Sequence, residues 1–255
     1  MNLEILKETF RQIRRYTLRH YIESISKSHR ISNLSSLIIA AHPDDEVFGC
    51  GGLIAAKRAM NCKVYVIYLT DGEASHRNCC NTDLKDVGDI RKKLAIESGK
   101  ILGLRLEDMF WLGIPDGNVP FKETPSFQIN SKKLLEIISS VSPDEIYSHF
   151  YLDCWPDHEA SSEIVRSALL KYKAKWELYY YPIWMWHNLR FRSLPKILKT
   201  KILRVDISSF LGKKRTAIEY YLSASSPDCG ISFCGNLPNG FVEHFQYDYE
   251  IFFKA

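Results

Sequence analysis

The sequence has no run of about 18 apolar residues, the length a bilayer-crossing helix needs, so no transmembrane segment is expected. It lacks a Cys-x-x-Cys pair, which removes the usual zinc-ribbon and thioredoxin-like readings. No secretory leader is expected, because Glu4, Lys7 and Glu8 interrupt any apolar start. A large excess of charge is missing too: 34 Lys and Arg stand against 30 Asp and Glu, a formal +4. That balance excludes a strongly cationic nucleic-acid binder, and the 45% hydrophobic content excludes global disorder. The seven cysteines of this 255-residue chain are odd in number and too sparse for a disulfide scaffold. They read as reduced thiols in a cytoplasmic protein. Cys79 and Cys80 read as an inert adjacent pair without a basic neighbour, and Cys229 and Cys234 as unpaired loop thiols.

Residues 1–30 place Leu3, Leu6, Phe10 and Ile13 at helical intervals among Lys7, Arg11, Arg14, Arg15 and Arg19. Residues 1–35 therefore read as an amphipathic, basic helical extension. The commoner use of such a pattern is to pack its apolar stripe on the domain; a basic helix can also lie on an anionic membrane surface. From residue 36 to 255 the chain reads as a single α/β domain. Short apolar runs at 36–41, 63–70, 109–112, 145–148 and 178–181 predict strands. Helices are predicted at 53–60, 89–102 and 131–141, with another opening near Asp157. This alternation implies a mainly parallel sheet sandwiched by helices, with ligands bound beyond the carboxyl ends of its strands. Gly49-Cys50-Gly51-Gly52 lacks dinucleotide-fingerprint spacing and reads as close packing of helix on strand. The loops at 71–88 and 115–130 are long enough to be functional.

Ala41-His42-Pro43-Asp44-Asp45-Glu46 directly follows the first of these strands. Three consecutive acids raise one another's pKa unless a cation or hydrogen-bond donors compensate them. His42 and Asp45 can supply two ligands of a tetrahedral zinc site, leaving Asp44 free to take a proton. The plainer alternative is a helix N-terminus, where acids cap free amides. Asp153-Cys154-Trp155-Pro156-Asp157-His158 also follows a predicted strand and opens a helix. In a parallel sheet the two loops can converge, and His158 then completes a His–Asp–His set.

His42-Pro-Asp-Asp-Glu46, with Pro156-Asp-His158 about a hundred residues later, resembles the zinc-dependent N-deacetylase family called PIG-L or LmbE-like. Thr70-Asp-Gly-Glu73, the helix carrying Arg91 and ending in Leu102-Gly103, and Leu112-Gly-Ile-Pro-Asp-Gly117 extend the match. Val205-Asp-Ile-Ser208 with Lys213 or Lys214, and Glu243-His-Phe245, resemble late segments of the family, so the resemblance covers about residues 36–250. It implies a Rossmann-like fold and removal of an N-acyl group, most often N-acetyl, from an amino-sugar derivative: nucleotide-linked, lipid-linked or a polysaccharide precursor. By position, His42, Asp45 and His158 would bind Zn2+ and Asp44 would be the general base. Arg91, Asp116 and Trp155 would meet the substrate. Two positions depart from the pattern. Trp155 stands where many relatives carry a histidine, and an indole cannot shuttle a proton. Leu94 stands where an acid often follows the helix arginine. Either Asp44 makes both proton transfers, or one of His149, His76, His187 and His244 substitutes, or activity is lost. His76 itself reads as a solvated loop histidine.

The aromatic stretch 179–187 is followed by Arg190, Arg192, Lys196, Lys199, Lys201 and Arg204. Aromatic rings stack on sugars and favour membrane interfaces, so a soluble or a membrane-linked glycan substrate both fit. Two other readings remain open at this stage: a metal-dependent glycosyltransferase, and a non-catalytic glycan-binding protein.

Overall fold

The computed structural model describes residues 3–122, 124–189 and 191–254, with the side chains of residues 3–5, 7 and 8 outside the description. The side chains of Leu3, Glu4, Lys7 and Glu8, and Arg190 as a whole, thus lie outside the described residues. The strands are β1 (Lys27–His29), β2 (Ser36–Ala40), β3 (Val64–Tyr68), β4 (Met109–Trp111), β5 (Glu145–His149), β6 (Glu177–Tyr181), β7 (Lys201–Asp206) and β8 (Tyr249–Lys254). The helices are α1 (Leu3–Ile25), α2 (Asp45–Ala59), α3 (Leu84–Leu102), α4 (Pro125–Val141), α5 (Pro156–Leu169), α6 (Met185–Asn188), α7 (Leu194–Ile197) and α8 (Leu211–Ser223).

The strands form one eight-stranded sheet in the order β1-β7-β8-β6-β5-β2-β3-β4. Every pairing is parallel except those of β8 with β6 and β7. β2 and β5 are buried along their whole length, which is why Leu37, Ile38 and Ile39 form an unbroken apolar run rather than an alternating one. The run β4-β3-β2-β5-β6 is the doubly wound order, and it reverses between β2 and β5. Ser36 pairs with Glu145, so the loops that leave the ends of these two strands emerge side by side.

α2 begins at Asp45, well before the helical periodicity is visible in the sequence. Three glycines in its first half dilute the apolar pattern, and they serve close approach. The Tyr181 ring of β6 fills the space where a Cβ on Gly49 would sit, and Ile207 does the same at Gly52. α3 and α4 also start earlier than expected, at Leu84 and Pro125, which shortens both long loops. Asp83 caps α3, its carboxylate accepting from the Lys85 amide at 2.7 Å. Of the late lysines, Lys214 is buried and donates to Glu250 at 2.8 Å.

The N-terminal segment differs from expectation in two ways. Its helix stops at Ile25, and residues 27–29 pair with β7 at the sheet's edge. The helix does pack on the domain, but through another face: Phe10 and Ile13 are exposed, while Leu18 and Ile22 join the core beside buried Arg15 and Arg19. The physical reason is an aromatic platform. The Arg19 guanidinium lies 4.1 Å over Trp186 and 4.4 Å over Tyr247, and Arg15 bonds His187 at 2.7 Å. The aromatic stretch is correspondingly inward-facing: Tyr179, Tyr180 and Tyr181 are core residues of β6, with Tyr179 stacked on Tyr147. No helix among the described residues is long and apolar enough to cross a membrane.

Candidate metal centre and active site

The loop after β2 turns sharply into α2 at Asp44, whose φ of 120° lies where a non-glycine residue is strained. The turn is held from both sides. Glu46 Oε2 accepts from the Asp44 amide at 3.0 Å, and the Asp44 carbonyl accepts from Val47 and Phe48 at 3.0 Å. Tyr221 donates to the other oxygen of Glu46 at 2.7 Å, and burial pushes that carboxyl up to about 7.

This turn brings His42 back over Asp45, which accepts from the His42 amide at 2.8 Å. His158, in the first turn of α5, arrives from the loop after β5. Its Nε2 lies 3.3 Å from His42 Nδ1 and 3.4 Å from Asp45 Oδ1, and His42 Nδ1 lies 3.3 Å from Asp45 Oδ2. Zinc bonds of about 2.0–2.1 Å to nitrogen and oxygen put tetrahedral ligand atoms about 3.3–3.4 Å apart. The donor set fits a zinc ion in both spacing and chemistry.

The outward nitrogens of both rings are fixed by carboxylates, the arrangement that orients metal-binding histidines. His158 Nδ1 bonds Asp153 at 2.6 Å, and Asp153 also accepts from the amides of Ile183, Trp184 and Met185. His42 Nε2 faces Asp116 at 3.1 Å and Asp157 at 3.2 Å. Burial opposes charge on His42, but the hydrogen bonds to Asp116, Asp157 and Asp45 raise its pKa well above the usual value. For His158 the same opposition is overcome by Asp45 and Asp153, and its pKa rises to about 9. Asp45 is held well below the carboxylate range despite burial, through His158 and His149.

Asp44 sits apart from this set. Burial raises its pKa to about 6, against the pull of Arg91, whose Nη2 donates to Asp44 Oδ2 at 2.9 Å. Arg91 also donates to the carbonyls of Pro43 and Gly72. A side chain at residue 72 would collide with the guanidinium, so the glycine of the Thr70-Asp-Gly-Glu73 element makes room for it. The other members of these elements bind neighbouring loops: Thr70 Oγ1 donates to Ala41, and Glu73 Oε1 accepts from the Asp116 amide.

His42, Asp44 and Asp45 line a cavity of about 400 Å³ together with Arg91, Asp116, Asp157 and Trp155. Trp155 stacks on Trp184 at 4.6 Å, and Trp184 in turn meets Phe241 at 4.7 Å. All seven residues singled out in the sequence therefore gather in one region, with His158 immediately beneath the cavity. Sequence reasoning missed the roles of Asp153 and Asp157 as ring partners, although both lie inside the motif quoted for His158. It also missed Trp184 and the segment 234–237, which lines the cavity without any local signal.

None of the four candidate substitute histidines lines the cavity. His149 is fully buried and stacked on His158 at 3.7 Å; burial and the neighbouring His158 lower its pKa to about 4. His187 is engaged with Arg15, and His244 lies by the α1 platform. His76 is not a solvated loop residue: it is buried against Phe233, with Nδ1 3.4 Å from the Cys79 sulfur. Hydrogen bonds from Thr82 lower the Cys80 pKa to about 7.

Residues 37–169, just over half of the chain, match the PIG-L family, described as GlcNAc-PI de-N-acetylase. Among curated proteins, the chain is 32% identical over 142 residues to "Probable N-acetyl-alpha-D-glucosaminyl L-malate deacetylase 2" of Bacillus subtilis (strain 168). That alignment takes in 54% of this chain and 61% of the relative's length. A conserved protein from Thermus thermophilus superposes with a TM-score of 0.56 at 27% identity, over 74% of this chain and 78% of that one. The N,N'-diacetylchitobiose deacetylase of Pyrococcus horikoshii shares the fold, with a TM-score of 0.58 at 21% identity, over 84% and 78% of the two chains. With its motifs in the matched region and its site at the switch point of the sheet, the chain belongs to the PIG-L family.

Proposed function

We propose that this protein is a zinc-dependent N-deacetylase acting on an N-acetylated amino-sugar derivative. The observation that carries this reading is the meeting of His42 Nδ1, His158 Nε2 and the Asp45 carboxylate within 3.3–3.4 Å, with Asp44 beside them in the cavity. The names of the B. subtilis and P. horikoshii proteins support the substrate class.

His42, Asp45 and His158 would hold the metal, and Asp116, Asp157 and Asp153 keep the two rings in place. When bound, zinc lowers the pKa of a water towards about 7 and polarises an amide carbonyl. Asp44, ionised at neutral pH, takes the proton of the attacking water. With no cavity-lining histidine other than His42 among the described residues, Asp44 also returns that proton to the departing amine. Arg91 holds Asp44 ionised and aimed. Arg91 and Asp116 also reach the cavity and are assigned to substrate hydroxyls or a phosphate. Trp155, with Trp184, supplies the ring surface for a sugar face. Exposed Phe10, Ile13 and Tyr16 on the basic α1 support peripheral contact with an anionic membrane, and co-sedimentation with anionic vesicles at low salt tests it. The seven free thiols suit a cytoplasmic location.

The test is zinc content by plasma mass spectrometry on protein purified without added metal, combined with amine release from N-acetylglucosamine derivatives. His158→Ala is expected to lower zinc by about one per chain and to abolish release. Release by a zinc-free wild type would contradict the reading.

A further inference from the structure

Near the cavity, but outside the group just described, a second set of ligand-type side chains converges. His76 ends the short turn Glu73–His76, and Cys79 and Cys80 follow in the same loop. Cys229 arrives from 150 residues further along the chain. The Cys79 sulfur lies 3.6 Å from Cys229 Sγ, 3.8 Å from Cys80 Sγ and 3.4 Å from His76 Nδ1. All four ligand atoms lie within 4.8 Å of one another.

The three spacings from the Cys79 sulfur match edges of a coordination tetrahedron. Zinc bonds of about 2.3 Å to sulfur and about 2.0–2.1 Å to nitrogen set two sulfurs about 3.8 Å apart, and sulfur and nitrogen about 3.5 Å apart. A disulfide would instead need sulfurs about 2.05 Å apart. Three sulfurs with one imidazole form a soft, closed set that selects zinc over oxygen-seeking cations.

We propose that His76, Cys79, Cys80 and Cys229 form a second, structural zinc site that ties the 73–82 loop to the 226–237 segment. The two segments already touch at several points: Ser75 Oγ donates to the Phe233 carbonyl at 2.9 Å, and Thr82 Oγ1 donates to Asp228 at 3.0 Å. Both supply the cavity wall, through Ala74 and Ser75 on one segment and Asn236 and Leu237 on the other. The Ala74 amide also donates to Asp116 at 2.8 Å, which links the tie to the carboxylate that holds His42. The site has four protein ligands and no open position, so it fixes the wall without entering the reaction. Metal binding there displaces the thiol protons to solvent. The proposal does not depend on the deacetylase reading, because its readout is sulfur ligation rather than turnover.

The test is cobalt(II) reconstitution of the reduced, metal-stripped full chain. A near-ultraviolet thiolate-to-cobalt charge-transfer band is expected, weakened by about a third or more in Cys229→Ser and retained in His158→Ala. A second measurement uses the wild type alone: zinc should protect Cys79, Cys80 and Cys229 from alkylation, as mapped by mass spectrometry. Absence of the band in the fully reduced wild type overturns the proposal. So does a band of unchanged intensity in Cys229→Ser, alkylation of the three cysteines unaffected by zinc, or a Cys79–Cys229 disulfide in protein isolated with zinc and without oxidant.

Discussion

His42, Asp45 and His158 meet at the floor of the cavity, largely buried, and offer nitrogen and oxygen donors. His76, Cys79, Cys80 and Cys229 meet near its wall, mostly more exposed, and offer chiefly sulfur. The first set rests on two strand ends that the sheet holds in register, and each ring is fixed by a carboxylate. The second rests on two loops that only their side chains bring together. The difference follows from their tasks. A site that must leave a position open for water needs rigid ligands of few number, whereas a closed four-ligand site can supply rigidity to loops that lack it.

The comparison breaks most sharply at His158. His158→Ala removes a ligand from the buried set and none from the sulfur set. Activity should become undetectable, and metal analysis should find about one zinc fewer per chain while the thiols stay protected. Loss of both metals together would mean that the two sets are not independent. Asp153→Asn probes the support of the same ring. The amide keeps a hydrogen bond but loses the charge, so zinc affinity of the buried set should fall about 10–100-fold in a chelator competition titration.

Zinc binding at the buried set should also be sensitive to protons. Burial opposes charge on both rings, but the neighbouring carboxylates raise His158 to about 9 and His42 well above its usual value, so protons are favoured where the metal would bind. Zinc must displace them, and its affinity should therefore rise with pH up to about 9 and weaken below. Competition titrations at several pH values measure this directly. Trp155→Ala should produce the smallest effect. Loss of a stacked, partly exposed ring is worth about 0.5–1.5 kcal/mol, so KM should rise about 2- to 10-fold with kcat nearly unchanged.

The same contrast explains what was legible in the sequence. The central strands are continuous apolar runs, and the residues of the buried set lie in two short motifs at strand ends. Local pattern therefore sufficed to place Asp44, Asp45 and His42 against His158. The start of α2 was hidden because glycines needed for packing against Tyr181 and Ile207 erase helical periodicity. The face by which α1 docks was hidden, since Arg15 and Arg19 find their partners on Trp186, His187 and Tyr247, far away in sequence. The sulfur set was invisible for the same reason. No spacing rule links Cys79 to Cys229; only the folded chain does.

The most direct test of the central claim is Asp44→Asn, with zinc content and amine release measured on the same samples. Asp44 is assigned proton transfer and no metal bond, so zinc should stay at the wild-type level while kcat falls about 10²–10⁴-fold. Release at the wild-type rate with zinc retained would contradict the account, because a carboxamide cannot take the proton that the mechanism assigns to Asp44.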